Sequence, residues 1–270
     1  MTMIRVMLVA LLLCGLGACV SRTPAPVAEI RPGLLQGYLS PDAYPDSLGL
    51  LPPPPAPGSA AQRLDEAVNR TALALQGSAR FRLAALDNDL SFPGAAGTFA
   101  CAVGAPITET ATPFLYQLLR RTLVDAGLAT YAAKNHYQRK RPFLGNGRPT
   151  CIDEAEQQRL VEDGSYPSGH TAIGWAWALI LTELAPDRAN EILARGYAFG
   201  DSRMICNVHW PSDVTAGRAV GAAAVARLHA DRTFRADLAR AGREIEAARA
   251  ARLPPQRDCG EEAGALAPGR

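Results

Sequence analysis

The 270-residue chain has few aromatic residues and almost no excess charge. Aromatic side chains make up 6% of it, and 28 basic residues stand against 26 acidic ones, a formal net charge of +2. This near balance argues against a nucleic-acid-binding protein that works through a large basic field. Hydrophobic residues at 48% and charged residues at 20% are ordinary globular values, which excludes intrinsic disorder and collagen-like repeats. The length suits one domain, or at most two, with a sizeable core.

The sequence also lacks alternating strand patterns and, after its first residues, any apolar run long enough for a membrane span of roughly 20 residues. Apolar residues instead recur at spacings of three and four over residues 60–86. Thr112-Pro113 is a typical helix start. Further helices are predicted at 113–126, 128–138, 153–163, 171–184, 187–200, 212–231 and 233–252. The sequence therefore predicts an all-α bundle of roughly eight or more helices.

The first residues have the charged, apolar and small-residue zones of an export signal. Arg5 precedes the apolar run 6–17, which ends in Leu16-Gly17-Ala18-Cys19. That tetrapeptide resembles the bacterial lipobox, so we predict a lipoprotein-type signal peptide and lipidation of Cys19. Cleavage at a nearby small-residue site is the alternative. Either way we expect the mature protein in the periplasm or cell envelope, anchored at the outer membrane, or otherwise secreted.

Four cysteines remain after the signal: Cys101, Cys151, Cys206 and Cys259. In an oxidising compartment they suggest two disulfides, with three possible connectivities. A metal site is disfavoured because none of the four belongs to a close C-x2-C pair. Their spacing alone does not choose the pairing.

Two of the four histidines stand in unusual surroundings. His170 closes Pro167-Ser168-Gly169-His170 just before an apolar segment. This order places Ser168, Gly169 and their backbone N–H groups at a helix N-terminus, where unpaired donors and the helix dipole bind anions. The plainer interpretation is a turn before a helix.

His209 is the second, and Asp213 follows it by four residues. In the first turn of a helix this spacing puts both side chains on one face. A carboxylate there can hold one ring nitrogen and leave the other free to attack an electrophile. Taken alone, the spacing is more often that of a surface pair or a metal pair.

Three cations accompany these histidines: Lys134 on a predicted helix, Arg141 just past its end, and Arg203 six residues before His209. Arg141 offers a planar fork for two phosphate oxygens, and Lys134 offers a compact charge. Together the three could bind one oxyanion without a metal. Each of them taken singly would be read as a solvated surface residue.

The three segments together, K-x6-R-P, P-S-G-H and S-R-x5-H-x3-D, resemble the signature of the type 2 phosphatidic acid phosphatase superfamily, which includes vanadium haloperoxidases. More narrowly, the chain is similar to bacterial class A non-specific acid phosphatases, notably in the proline-rich residues 50–59. The likeness runs from about residue 38 to residue 250. It implies the helical bundle of that superfamily for a catalytic domain at 38–252. The predicted signal peptide at 1–18, a linker at 19–37 and a C-terminal tail at 253–270 lie outside the likeness.

The resemblance also implies a role for each motif residue. His209 would attack phosphorus to form a phosphohistidine, His170 would protonate the leaving alcohol, and Asp213 would orient His209. The residues implied to bind the phosphoryl oxygens are Lys134, Arg141, Ser168, Gly169 and Arg203. Among the cysteines it implies a Cys151–Cys206 bond, which leaves Cys101–Cys259.

The expected activity is hydrolysis of a broad range of phosphomonoesters by an exported enzyme that needs no metal or other cofactor, with phosphate transfer to alcohols as a second activity. The expected partners are the phosphomonoester substrates, inorganic phosphate and further copies of the chain, with a membrane tether through Cys19 and no nucleic acid. The alternatives are a vanadate-dependent haloperoxidase, a lipid-headgroup phosphatase and a phosphate-binding lipoprotein without catalysis.

Overall fold

The computed structural model describes residues 23–267, and this part of the chain is mostly helical. Two short strands, β1 (Glu29–Arg31) and β2 (Leu34–Leu35), pair antiparallel. The helices are α1 (Ser47–Leu50), α2 (Ala60–Leu73), α3 (Ala79–Leu86), α4 (Ala100–Val103), α5 (Pro113–Leu128), α6 (Tyr131–Tyr137), α7 (Pro142–Asn146), α8 (Glu154–Val161), α9 (Gly169–Leu184), α10 (Ala189–Ile205), α11 (Pro211–Leu228), α12 (Arg232–Ala250) and α13 (Cys259–Leu266). The predicted all-α fold class is confirmed.

Helix α9 is the centre of the bundle and packs against α5, α10 and α11. Its sequence is apolar on nearly every side, which suits a helix that is covered all round. Trp177 is fully buried, and its indole N–H donates to the Leu119 carbonyl on α5 at 3.1 Å. The start of α9, where Ser168–His170 lies, is therefore fixed relative to its neighbours.

Helix α11 comes very close to α9 because it has glycine at two contact positions. A Cβ on Gly217 would lie 2.5 Å from the Ser168 carbonyl oxygen, and one on Gly221 would lie 2.4 Å from that of Ala172. Larger residues would push the helices apart, since packed interiors leave no such space. The close approach sets the two motif segments side by side, and the Ser168 N–H donates to the Asp213 carbonyl at 3.0 Å.

The predicted helix ends need three corrections. The pattern over 60–86 is two helices, because Gly77 adopts φ +80° and Ser78 caps α3 by accepting from the Phe81 N–H. Helix α5 passes the predicted stop at Gly127 and ends at Leu128. Helix α11 begins at Pro211, so Ser212 is inside it rather than at its cap.

The start of α5 is capped from a distant helix instead of by its own Thr112. The Thr112 hydroxyl donates to the Pro106 carbonyl at 3.1 Å and makes no cap bond. Glu244 on α12 accepts from the Phe114 and Leu115 N–H groups at 3.1 and 3.0 Å. A carboxylate at this position also interacts favourably with the helix dipole.

The segment predicted as a linker is partly structured. Residues 29–35 form the β1–β2 hairpin, whose turn contains Gly33 at φ +81°. Arg121 on α5 donates to the Gly37 carbonyl at 2.8 Å, and Asp125 accepts from the N–H groups of Tyr38 and Leu39 at 2.9 and 3.0 Å. The hairpin is thus bound to α5 rather than extended away from the domain.

Two disulfides join distant segments, Cys101–Cys259 and Cys151–Cys206, the pairing that the resemblance implies. The first ties α13, in the predicted C-terminal tail, to α4. Within residues 23–267 no helix has both the length and the apolarity that a membrane crossing requires. The predicted signal peptide 1–18 and the lipidation candidate Cys19 lie outside the described residues.

Candidate active site

A cavity of about 340 Å³ opens where α5, α6, α9 and α10 meet. Six of the residues predicted for the site line it: Lys134, Arg141, Gly169, His170, Arg203 and His209. The other two, Ser168 and Asp213, are fully buried and bond to residues of the same segments. The structure therefore brings the three motif segments together at one cavity.

The His209 ring is almost fully buried and has a different partner at each nitrogen. Its Nδ1 lies 3.4 Å from Asp213 Oδ2, and the ring also hydrogen-bonds the backbone of Ser165. Its Nε2 lies 3.1 Å from Arg141 Nη1. A guanidinium only donates, so Nε2 must accept, which leaves the proton on Nδ1. The lone pair of Nε2 therefore points toward a cation that can bind phosphate.

Asp213 is held by a buried chain of charges. Arg139 donates to Asp213 Oδ1 at 2.6 Å and to Asp65 Oδ2 at 2.7 Å, and the Trp210 N–H donates to Asp213 Oδ2 at 2.8 Å. Burial raises the pKa of Asp213, and the bonds from Arg139 and Trp210 oppose that rise. These bonds fix the carboxylate that lies beside His209 Nδ1.

Arg141 and Lys134 share one carboxylate, that of Asp163. Arg141 Nη2 donates to Asp163 Oδ2 at 2.8 Å, and Lys134 Nζ lies 3.4 Å from the same oxygen and donates to the Gly164 carbonyl at 2.6 Å. Burial, aided by the nearby Arg141 charge, lowers the pKa of Lys134 to about 8. Lys134 is therefore a cation throughout the acid range.

Arg203 is 1% exposed, and only part of its guanidinium is paired. Its Nη1 donates to Asn88 Oδ1 at 2.8 Å, whereas its Nε is buried and has no hydrogen-bond partner among the described residues. A buried unpaired donor costs about 1–3 kcal/mol. Burial and the Arg141 charge lower the pKa of Arg203 to about 10, so it too is a cation. Arg203 also lines the cavity, where its charge would attract an oxyanion.

Asn88 also holds His170. The His170 Nε2 lies 3.1 Å from the Asn88 backbone oxygen, and because a carbonyl only accepts, Nε2 carries the proton and Nδ1 is left to titrate. Burial first, and then the charge of Arg203, lowers the pKa of His170 well below its usual value. Burial and the charges of Arg141 and Lys134 do the same for His209. Both imidazoles are therefore neutral at neutral pH.

Ser168 and Gly169 form the start of α9, as the motif predicts. Ser168 is the N-cap and accepts from the Thr171 N–H at 3.3 Å, while its own N–H is used by Asp213. The N–H groups of Gly169 and His170 stand in the first turn, where helix geometry leaves them without an intrahelical acceptor. Of the two predicted anion-binding residues, only Gly169 reaches the cavity surface.

The segment between Arg203 and His209 is braced at two places. Cys206 is bonded to Cys151. Asn207 adopts the left-handed conformation, φ +61°, and its side chain exchanges hydrogen bonds with Asn146 and accepts one from Asn69. Asparagine tolerates this conformation better than most residues. The brace sets the direction in which the chain enters His209.

Sequence reasoning missed three residues at this site. Arg139 is not among the three cations that the sequence analysis singles out, but its side chain is only 9% exposed and pairs with two carboxylates. Asp163 and Asn88 stand outside the motifs, and no pattern marks them. Arg139 lies within K-x6-R-P, and Asp163 lies four residues before P-S-G-H. This closeness to the motifs could have marked both as partners of the site, because buried polar residues need hydrogen-bond partners.

Comparison with known proteins identifies the family of the chain. The sequence model of the PAP2 superfamily matches residues 111–236. A non-specific acid phosphatase of Providencia stuartii is 47% identical over 209 residues, which cover 77% of this chain and 84% of the relative. An acid phosphatase of Zymomonas mobilis is 42% identical over 210 residues, which cover 78% of this chain and 79% of the relative. A non-specific acid phosphatase of Salmonella typhimurium is 42% identical over 212 residues, which cover 78% of this chain and 84% of the relative.

The match to the family model, together with the helical bundle, defines a protein of the PAP2 type. Within it, the chain belongs to the class A non-specific acid phosphatases, and it is an enzyme that hydrolyses phosphomonoesters.

Proposed function

We propose that this acid phosphatase works through a covalent phosphohistidine formed on His209. The observation that carries the proposal is the pairing of the His209 ring, with Asp213 at Nδ1 and Arg141 at Nε2. A nucleophile needs an electron pair aimed at phosphorus, and this tautomer places the pair on Nε2. A bound phosphoryl group would take over the Arg141 donor that Nε2 accepts from in this structure. The lowered pKa of His209 keeps that pair unprotonated in acid solution.

The phosphoryl group would bind to donors that the fold already directs into the cavity. Arg203, Arg141 and Lys134 line the cavity and offer charge, and Gly169 offers its N–H at the start of α9. Ser168 lies behind them, and its hydroxyl proton is free to donate because its oxygen accepts from Thr171. Such preorganised donors stabilise the charge that grows on the phosphoryl oxygens in the transition state.

The first step forms the Nε2–P bond as the bond from phosphorus to the leaving oxygen breaks. The leaving oxygen takes the electron pair and receives a proton from His170 Nδ1. In the second step water attacks phosphorus, His170 takes one proton from it, and the Nε2–P bond breaks with its electron pair returning to His209. An alcohol in place of water would give phosphate transfer by the same step.

We also propose that the protein works outside the cytoplasm, in the periplasm or cell envelope. The export signal in residues 1–18 supports this proposal, and so do two disulfides, which persist in oxidising compartments. Lipidation of Cys19 would tether the enzyme to a membrane, and mass spectrometry of the mature N-terminus tests it. Attached acyl chains support the tether, and an unmodified terminus contradicts it. Assembly into homo-oligomers stays a prediction.

The mechanism is tested with His209→Ala and His170→Ala on substrates whose leaving groups differ in basicity. Loss of His209 should lower kcat by on the order of 10⁴-fold or more on every substrate. Loss of His170 should cost about 10²–10⁴-fold on phenyl phosphate, whose leaving group needs a proton, and far less on 4-nitrophenyl phosphate. His136→Ala is the matched control, because His136 is exposed and does not line the cavity. Near-normal activity of His209→Ala would refute the mechanism.

A further inference from the structure

The active-site cavity has two kinds of lining. Its polar part is one connected group in which Asp163 bonds Arg141 and Lys134, and Arg141 contacts His209. Its apolar part comes from the hairpin, α5, α8, α9 and the segment after α3, and consists of Ile30, Leu34, Leu90, Leu123, Val124, Leu128, Leu160 and Ile173. The proposed chemistry uses only the polar part.

The apolar lining is an exposed edge of the main hydrophobic core. Leu123 and Ile173 are buried in that core, and Leu34 and Leu90 pack against it. Ile30 and Leu128 are 47% and 40% exposed at the cavity. Apolar surface of this kind gains free energy when an apolar group covers it. A charged or strongly hydrated ligand would gain nothing there.

The hairpin wall is held in place on α5, which forms part of the same wall. Arg121 and Asp125 bond the chain directly after β2, and Arg120 lies 3.7 Å from the Glu29 carboxylate on β1. Ile30 and Leu34 therefore keep a fixed position opposite Leu123 and Leu128. A preformed wall of this kind contributes to selectivity because little ordering is needed when a ligand binds.

The apolar wall lies on the side of the cavity from which the leaving group departs. Ile173 follows His170 by three residues, so the two lie on neighbouring turns of one face of α9. Leu90 is two residues beyond Asn88, whose carbonyl bonds His170. A group that takes its proton from His170 therefore lies beside these two side chains.

We propose that the β1–β2 hairpin and α5 form a leaving-group subsite that selects phosphomonoesters of apolar alcohols, whether a soluble aryl group or the alkyl chain of an amphiphile. The proposal rests on the proposed function and adds a substrate class to it. A cavity of about 340 Å³ is near the lower end of ligand pockets, roughly 300–1,000 Å³. Arg31 and Tyr131 also border it. Arg31 is a cation there and attracts any phosphate dianion.

The test compares 2-naphthyl phosphate, dodecyl phosphate in nonionic micelles and glycerol 2-phosphate as substrates of the full chain. Ile30→Thr keeps a β-branched residue in the strand, and Leu128→Gln changes the same apolar wall from a different element. Each should lower kcat/KM for the two apolar substrates by about tenfold and for glycerol 2-phosphate by less than about twofold. Leu64→Gln is the matched control because Leu64 is 64% exposed and lies outside the cavity.

A selective loss on 2-naphthyl phosphate alone supports an aryl substrate, one on dodecyl phosphate alone supports an amphiphile, and a loss on both supports the shared chemistry. An equal loss on all three substrates would overturn the subsite, because the hairpin would then act only on folding. Unchanged rates in both variants would overturn it as well. If the wild-type protein cleaves none of the three, the proposed function itself fails.

Discussion

His209 and His170 face one cavity, but the protein holds them in different ways. The segment around His209 is fixed by the Asp213–Arg139–Asp65 chain, by the Asn207 cluster and by a disulfide. His170 is held by the start of α9 and by one carbonyl, that of Asn88. The direction of the proposed nucleophile is thus set by several buried interactions, whereas the proposed acid depends on a single residue that also holds Arg203.

The largest expected effect comes from breaking the charge chain on the His209 side. Asp213→Asn keeps the shape of the side chain but removes the charge that holds the Nδ1–H tautomer. We expect kcat to fall by about 10³–10⁴-fold, as for other histidines that lose their orienting carboxylate. Steady-state kinetics checks this, with the exposed Asp187→Asn as control. Activity within tenfold of the wild-type value would show that Asp213 does not orient the ring.

The His170 side is tested through Asn88. Asn88→Ala keeps the backbone carbonyl for His170 but removes the acceptor of Arg203, so we expect a fall in kcat of about 10–100-fold. Asn88→Asp keeps an acceptor oxygen for Arg203, but it sets a second carboxylate against Glu156, to which the Asn88 amide donates at 2.7 Å, and adds a charge that repels phosphate. We therefore expect it not to recover the lost activity. The exposed Asn135→Ala serves as control. If both Asn88 variants matched the wild type, Arg203 would have to be positioned without this contact.

The pH profile separates the two histidines without mutation. His209 must be neutral to attack and His170 protonated to donate, and the pKa of each is lowered in the free protein. As pH rises above the lowered pKa of His170, kcat/KM should fall about tenfold per unit, beginning below pH 6.5. A bound phosphoryl anion raises the pKa of His170, so the corresponding fall in kcat should come at higher pH. If kcat/KM began to fall only at a pH above the ordinary pKa of histidine, burial and the nearby cations would not be lowering the pKa of His170.

The smallest expected effect concerns Asp163, whose carboxylate occupies Arg141 and faces Lys134. Asp163→Asn removes a negative charge that repels phosphate and competes for the same donors. At about pH 6 we expect the inhibition constant of inorganic phosphate to be roughly three- to tenfold lower for the variant than for the wild-type protein. Inhibition constants at constant ionic strength measure this, and Asp201→Asn, whose carboxylate pairs with Arg218, is a control. Weaker inhibition would mean that Asp163 mainly holds the two cations in place.

Much of this could be predicted from the sequence, because it depends on local patterns. Apolar periodicity and start signals predict most helices, and the three motifs predict which residues meet at the cavity. The contacts that could not be predicted join residues with no common pattern, such as Arg139 with Asp65, 74 residues apart. The hairpin wall was missed because strands of three and two residues leave too short an alternation to detect.

The central claim, a covalent intermediate on His209, is tested most directly by trapping it. The enzyme would be mixed with ³²P-labelled phenyl phosphate, quenched in alkali, where phosphohistidine survives, digested and mapped by mass spectrometry. We predict label on the peptide that contains His209, none in His209→Ala, and undiminished label in His136→Ala. Label on another residue, or a turning-over enzyme that never becomes labelled, would contradict the account.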